Sequence, residues 1–439
     1  MAKTLRLAIA GLGTIGVGVV QVLQKHAQKL ADKTGRAIEL VAVCDLDQSL
    51  DRGVDLSSYQ WFGDALELAK DDGHDVFIEM MGGADGIALK SVETALESGK
   101  HVVTANKAML AKHGTRLARL AEERGVSLNF EAAVGGGIPV IKAMRESLIG
   151  NDVMRVYGIM NGTCNYILTK MQEEGLPFDQ VLAEAQAAGY AEADPTFDIG
   201  GHDTAHKLAI LTSLAFGTEL AFDEIYLEGI EKISIEDIEA ADELGYRIKL
   251  LGVAQITDTG IEQRVHPTMV RKHTAIAEIA GVTNCVAIDG DFVNRIMLVG
   301  PGAGAGPTAS AIVGDIVDIA RNIKMPPLLT KAADLKPYKR AQMRRHEGGY
   351  YIRLQVKDHP GAVASIATRM AEQEISLQSI VQKGPHMAGE EADEEKANMI
   401  PVILITHETT ESAVRKALDA ILSDGHVAEQ MQMIRIESL

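Results

Sequence analysis

One short stretch narrows the fold more than any other. "LRLAIA" (residues 5–10) is an apolar run, and "GLGTIG" follows it directly, with Gly11, Gly13 and Gly16 in G-x-G-x-x-G spacing. "VGVVQVLQKHAQKL" then places apolar residues on one helical face. In such a strand, turn and helix, the first glycine allows a tight turn. The second lets the backbone approach a pyrophosphate, and the third lets helix pack on strand. The helix then turns its free N-terminal amides toward the phosphates. The spacing alone is a weak signal. Here a second strand, "IELVAVCDLD", follows and ends in acid, which is the context a dinucleotide site needs.

"DVFIEMMGG", "HVVTANKA" and "VSLNFEAAVGGG" read as three more strands, separated by helical patterns at 85–98 and 108–123. Strands alternating with helices predict a parallel sheet. The expected fold class is therefore α/β, with a Rossmann-type dinucleotide-binding domain over residues 1–130. Asp45 ends the second strand, where a carboxylate can bind the ribose 2′-hydroxyl of NAD. An arginine there would favour the 2′-phosphate of NADP. Arg52 is the nearest arginine downstream, so the pattern favours NAD with NADP tolerated. A solvated strand end is the competing account of Asp45.

The rest of the chain changes character. With 439 residues, about two to four domains are expected. "MRVYGIMNGTCNYILTKM" reads as a strand, a polar turn and a helix, and "RIKLLGVAQITDTGIEQRVHPTMV" as antiparallel strands. These are expected to form an α+β domain over 131–304 that carries the substrate. "GPGAGAGPTASAIVGDIVDIARN" is a glycine-rich turn opening a helix, near 305–325, that returns to the first domain. The three prolines of "KMPPLLTKAADLKPYKRAQ" mark a linker over 326–349. Residues 350–439 read β-α-β-β-α-β, a ferredoxin-like order, with the acidic insert "GEEADEEKA" as a solvated loop.

Composition excludes several functions. A formal charge of −18 argues against nucleic acid, whose phosphates need a basic face, and 4% aromatic residues leave little for base stacking. No apolar run reaches the length of a membrane span. Cys44, Cys164 and Cys285 are too scattered for a disulfide framework, and a reducing cytoplasm fits them.

The chemistry concentrates in "GYAEADPTFDIGGHDTAHK" (189–207), where Glu192, Asp194, Asp198 and Asp203 precede Lys207. Asp203 and Lys207 share a helical face, a spacing that equally makes an ordinary surface pair worth a few tenths of a kcal/mol. Lys107 ends the fourth strand and points to the crevice where open α/β sheets bind ligands. His202 and His206 have the i,i+4 spacing of a zinc helix, but the inner glutamate and a third ligand are missing, so zinc is discounted. Asp198 and Asp203 suit a divalent cation in principle. Cys164, in a polar turn before a helix, is a rival nucleophile if its pKa is depressed. A small buried cysteine is the commoner outcome.

"GLGTIG", "VVTANKA", "EAAVGGGIP", "NGTCNYILTKM", "GYAEADPTFDIGGHDTAHKLAI", "RVHPT" and "GPGAGAGPTASAIVGDI" occur in order across residues 1–325. Together they resemble homoserine dehydrogenase, and the tail with "DHPGAVASIA" resembles an ACT domain, a regulatory module that often binds amino acids. The pair is similar to the monofunctional bacterial type. The resemblance implies NAD(P)-dependent interconversion of L-aspartate 4-semialdehyde and L-homoserine, in threonine and methionine biosynthesis, by a homo-oligomer, dimer or tetramer. It also implies that the domain over 131–304 is the catalytic and dimerisation domain. It assigns cofactor contacts to Leu12, Gly13, Thr14 and Ile15 between Gly11 and Gly16, and to Thr104, Lys107 and Gly304. It assigns substrate contacts to Gly189, Glu192 and Asp203, and proton transfer to Lys207 with Lys107 beside it. Glu131, Val134, Gly136 and Ile138 match a monovalent cation site, usually sodium, built mainly from backbone carbonyls. Many members have threonine where this chain has Cys164, which weakens a thioester-forming dehydrogenase reading. An amino-acid sensor with a relic dinucleotide domain is the other rival. Carboxylates near Lys207 are expected to raise its pKa and favour proton donation. Threonine is the expected effector, at the turn holding Asp358, Pro360 and Gly361.

Overall fold

The computed structural model describes residues 3–341, 347–382, 399–428 and 431–437. The acidic insert lies outside them. The chain opens with β1 (Leu5–Ala10), α1 (Thr14–Thr34), β2 (Ile38–Cys44), β3 (Gln60–Phe62), α2 (Ala65–Lys70), β4 (Val76–Glu79), α3 (Ile87–Glu97), β5 (His101–Thr104), α4 (Lys107–Arg124) and β6 (Leu128–Asn129). These six strands form one parallel sheet in the order β3-β2-β1-β4-β5-β6. The order reverses between β1 and β4, so the crevice for a ligand opens at the carboxyl end of β1. The strands are apolar on both sides because both faces are covered. Leu7 and Ile9 pack toward Val19, Val20 and Leu23 of α1. Ala8, Ala10 and Phe77 pack toward Leu68 of α2 and Val92 and Leu96 of α3. The sequence pattern did not reveal β3 and α2, which are too short to show a period.

Next come α5 (Ala132–Gly135), α6 (Val140–Lys142), β7 (Val153–Ile159), α7 (Gly162–Glu174), α8 (Phe178–Ala187), α9 (Thr196–Ile199) and α10 (His202–Phe216). They are followed by β8 (Tyr226–Leu227), α11 (Ile235–Glu243), β9 (Tyr246–Thr257), β10 (Gly260–Arg271), β11 (Thr283–Gly290), β12 (Asn294–Pro301) and α12 (Ala305–Ala320). Helix α12 returns to the first sheet, where Ile312, Val313 and Ile316 join the core of α1. The approach is close: a Cβ on Gly18 would meet the Ala305 carbonyl oxygen at 3.0 Å.

The last elements are β13 (Glu347–Lys357), α13 (Ala362–Glu372), β14 (Leu377–Gln382), β15 (Met399–Thr406), β16 (Thr409–Thr410), α14 (Glu411–Ser423) and β17 (Gln432–Glu437). Four of these strands lie in the order β17-β13-β15-β14, the antiparallel ferredoxin-like arrangement. Alternation along β13 divides its two tyrosines. Tyr350 packs with Ile366, Met370 and Val414 under α13 and α14, while Tyr351 joins the core on the other face.

This unit is not hung on a tether. Its β17 pairs in parallel with β10 of the middle region, Thr268 opposite Arg435 and Val270 opposite Glu437. The result is one sheet in the order β12-β11-β7-β9-β10-β17-β13-β15-β14. A buried polar seam runs along the join. Arg264 is fully buried, pairs with Glu262 and Glu437, and donates to His266 Nε2 at 2.8 Å. Arg435 donates to Glu411 at 2.8 Å and to Glu228 at 3.2 Å. Arg353 donates to Asp237 at 2.7 Å, where Asp237 also closes the capping box of α11 with Ser234.

Candidate active site

The glycine turn is built by close contacts. Gly11 has φ +99°, and a Cβ there would lie 2.6 Å from the Met80 carbonyl oxygen. A Cβ on Gly16 would meet the Gly11 carbonyl oxygen at 2.0 Å, so only glycine lets α1 start this near β1. A Cβ on Gly13 would meet nothing within 4 Å, and Gly13 and Thr14 are exposed at the start of α1. The turn is thus tight on its inner side and open where a phosphate would sit.

Asp45 braces this turn. Its carboxylate accepts from the Leu12 and Leu46 amides, both at 2.7 Å, and faces Arg52 Nη2 at 3.4 Å. Arg52 in turn donates to the Leu12 carbonyl at 3.3 Å and lies over the Trp61 ring. Both peptide groups of Leu12 are therefore held. Thr104 is also committed: its buried hydroxyl donates to Glu79 at 2.6 Å and accepts from the Asn106 amide at 3.0 Å. Asn106 caps α4, which begins with Lys107.

A cleft of about 770 Å³ lies between this turn and the middle region. Ile15, Lys107 and Gly304 line it from the cofactor side; Gly189, Glu192, Asp203 and Lys207 line it from the other. Helix α10 places Asp203 and Lys207 on one face, and Lys207 Nζ donates to Asp203 at 2.8 Å and to the Met160 carbonyl at 2.6 Å. Lys107 reaches the second Asp203 oxygen at 2.5 Å. Asn161, the N-cap of α7, donates to both Asp203 at 2.9 Å and Asp198 at 2.8 Å. Two lysines and two aspartates thus share one buried network, with Glu192 exposed at the rim.

Burial decides the electrostatics. It depresses the Lys207 pKa and outweighs Asp203, which acts to raise it. The sequence expectation of a raised pKa is therefore reversed. For Asp203 burial acts upward, but Lys207 and Lys107 overcome it and hold the carboxyl well below the usual range. Asp198 goes up, through burial and then the neighbouring Asp203 charge.

Two sequence candidates have other work. Cys164 is 1% exposed, and its Sγ meets the Asp198 carbonyl at 3.2 Å. Burial pushes its thiol well up rather than down, so the thiolate needed for attack is disfavoured. His202 stacks on Phe197, and His206 lies between Phe197 and Phe222 at 5.4 and 4.5 Å. They pack rather than converge, and among the described residues no group of three metal-ligating side chains is brought together.

The residues assigned to a cation form the floor beside α12. The Glu131 carboxylate accepts from the Ile141 and Lys142 amides at 2.9 and 2.8 Å, and its carbonyl accepts a long bond from the Val134 amide at 3.5 Å. The Ile138 carbonyl accepts from Val140 at 2.8 Å. Val134 ends in a short helix, and Gly136, at φ +56°, presses on Gly302, where a Cβ would meet the carbonyl oxygen at 2.4 Å.

Sequence reasoning passed over Asn161 and Thr163. Thr163 donates to the Tyr190 carbonyl at 2.7 Å and so ties α7 to the acidic loop. Asparagine before a helical run is a recognisable N-cap signal. Lys249 was also missed. It is buried on β9, donates to Asn165 at 3.1 Å and to the Ile279 carbonyl at 2.6 Å, and burial lowers its pKa to about 8. These bonds hold the loop that carries Val282 and Thr283 into the cleft.

A doubly wound sheet with a dinucleotide turn, facing a buried lysine among acids, defines an oxidoreductase that moves hydride to or from a small polar substrate. Comparison with known proteins makes the class specific. The profile described as "Homoserine dehydrogenase, NAD binding domain" matches residues 11–131, and the one described as "Homoserine dehydrogenase" matches 139–317. The homoserine dehydrogenase of Neisseria gonorrhoeae is 43% identical, covering 100% of this chain and 99% of that one. That of Pseudomonas aeruginosa is 44% identical, with both chains covered at 100%. The crystal structure of a homoserine dehydrogenase from Thiobacillus denitrificans superposes with a TM-score of 0.92 at 39% identity, covering 100% and 99% of the two chains. The chain belongs to the homoserine dehydrogenase family. Its reaction is the NAD(P)-dependent interconversion of L-aspartate 4-semialdehyde and L-homoserine.

Proposed function

We propose that Lys207 is the proton donor and acceptor of this reaction. The observation that carries the reading is a buried ammonium on the cleft floor, held between Asp203 and the Met160 carbonyl. The nicotinamide cofactor supplies or accepts the hydride. Lys207 gives a proton to the carbonyl oxygen during aldehyde reduction and takes the hydroxyl proton in the reverse direction. A depressed pKa brings the neutral amine closer to neutral pH than in free lysine, which helps the reverse direction. Lys107 stabilises charge developing on that oxygen. Glu192 and Asp203 receive the substrate ammonium and hydroxyl through charge-assisted hydrogen bonds, beside Gly189. Gly11 to Gly16 and Gly304 bind the dinucleotide. Lys207→Met should lower turnover by about 10³-fold in both directions, with the NADH dissociation constant unchanged. A variant keeping more than a tenth of normal turnover would overturn the assignment.

The cofactor preference rests on the Asp45–Arg52 pair. Asp45 is already engaged, and Arg52 stands beside it with a guanidinium that suits a 2′-phosphate. We infer that NAD and NADP are both accepted. Arg52→Leu should reduce kcat/KM for NADP about tenfold more than for NAD; equal losses would count against it.

A monovalent cation such as sodium fits the carbonyls of Glu131, Val134, Gly136 and Ile138 as an oxygen-only set. Activity in sodium chloride should exceed that in choline chloride. We read the C-terminal unit as an ACT domain that senses threonine at Asp358, Pro360 and Gly361, in a homo-oligomeric enzyme. Threonine should lower activity of the full chain, and Gly361→Val should abolish that inhibition; light scattering gives the oligomeric state.

A further inference from the structure

Asn284 is a buried polar group that the assignments above leave unused. It is the second residue of β11, pairs with Gly300 of β12, and lines the cleft. It is 2% exposed. Its Oδ1 is buried and receives no hydrogen bond among the described residues. Gly302 makes room for it, and Gly162 lies in contact with it. A Cβ on Gly302 would fall 1.9 Å from Nδ2, and a Cβ on Gly162 would fall 3.5 Å from Oδ1. The carboxamide is therefore wedged between the first turn of α7, next to the acid–amine network, and the turn into α12, on the cofactor side.

A buried carboxamide oxygen without a partner costs about 1–3 kcal/mol. On a cleft wall, a ligand can remove that cost. The group needing a partner is an acceptor, so the ligand must bring an N–H or O–H donor. Gly300, its cross-strand partner, and Gly302, which its Nδ2 faces, carry no charge and lead into the turn at Gly304, which suits a ring bearing an uncharged amide better than an ammonium or carboxylate. The ring that carries a primary amide is the nicotinamide.

We propose that Asn284 is a positioning residue for the cofactor: its Oδ1 accepts a hydrogen bond from the amide nitrogen of the nicotinamide carboxamide. That bond fixes the rotation of the ring and so the face turned toward Lys207. The inference rests on reading this cleft as the nicotinamide site.

The test compares NADH with its reduced 3-acetylpyridine analogue, in which a methyl ketone replaces the amide and the donor is lost. Dissociation constants are measured by calorimetry for the wild type, Asn284→Ala and Asn284→Asp. The wild type should bind NADH about tenfold more tightly than the analogue. Asn284→Ala should bind both equally, at the weaker value, and its melting temperature without cofactor should not fall, since the deleted oxygen had no partner. Asn284→Asp, which keeps an acceptor in the same shape, should retain most of the discrimination. With stereospecifically deuterated NADH, Asn284→Ala should transfer label from both ring faces where the wild type uses one. Equal weakening for both cofactors, with a lowered melting temperature, would make Asn284 structural and overturn the proposal. So would a loss confined to homoserine binding. Failure of the wild type to bind NADH would instead refute the reading of the cleft itself.

Discussion

The cleft and the seam beneath the C-terminal unit both bury charge, and they treat it differently. At the seam the buried arginines are paired within the protein: Arg264 meets Glu262, Glu437 and His266, and Arg435 meets Glu411 and Glu228. In the cleft the network is left open on one side. The Lys107 side chain is 35% exposed and Glu192 stands at the rim, so a ligand can exchange partners with the network. Closed clusters offset their desolvation internally and fix how two units sit. Open ones keep capacity for substrate at some cost in stability.

Substitutions should separate the two. Lys107→Met removes the open arm and should lower kcat/KM for homoserine by about 10²–10³-fold, with an unchanged melting temperature; a fall in both would mean the cleft behaves like the seam. Arg435→Leu leaves Glu411 with Arg415 as its remaining partner and should cost about 1.5–3 kcal/mol of unfolding free energy, with kcat unchanged at low temperature. Equilibrium denaturation alongside kinetics decides it. Asp203→Asn removes the charge that raises the Lys207 pKa. The basic form of Lys207 should then appear at lower pH, moving the acid limb of the oxidation profile downward; an upward move would contradict the assigned coupling. Outside both clusters, Arg6 donates to Asp75 at 2.8 Å. Burial acts to raise the Asp75 pKa, but these bonds win and bring it to about 2. That pair stabilises above the ordinary carboxylate range and loses its effect as pH falls toward 2. Asp75→Asn should therefore cost about 1 kcal/mol at pH 7 and nothing near pH 2.

The sequence made the dinucleotide half readable because its determinants are local. Gly11, Gly13 and Gly16 stand in one turn, where Gly16 packs on the Gly11 carbonyl, and β1, β2, β4 and β5 are short, mostly apolar runs. The acidic loop was legible as chemistry, through the spacing of Asp203 and Lys207. What stayed hidden depends on distant residues. The depressed pKa of Lys207 comes from burial, which no spacing reports. Asp45 looked free and proves to brace Leu12, because Arg52 folds back over Trp61. Asn284 carries no motif at all; its meaning comes from the cleft it lines and from Gly302, which leaves room for its carboxamide. The tail's β-α-β-β-α-β order was visible, but its continuation of the catalytic sheet was not, since edge pairing leaves no periodic trace.

The pairing of β17 with β10 also orders events during synthesis. Strand β10 emerges from the ribosome long before residues 435–437 exist, so the backbone at Thr268–Val270 and the guanidinium of Arg264 wait without their final neighbours. An uncovered strand edge invites pairing with other chains. A nascent or C-terminally clipped polypeptide should therefore be most prone to clump at this strand, even though its nucleotide-binding half is already complete.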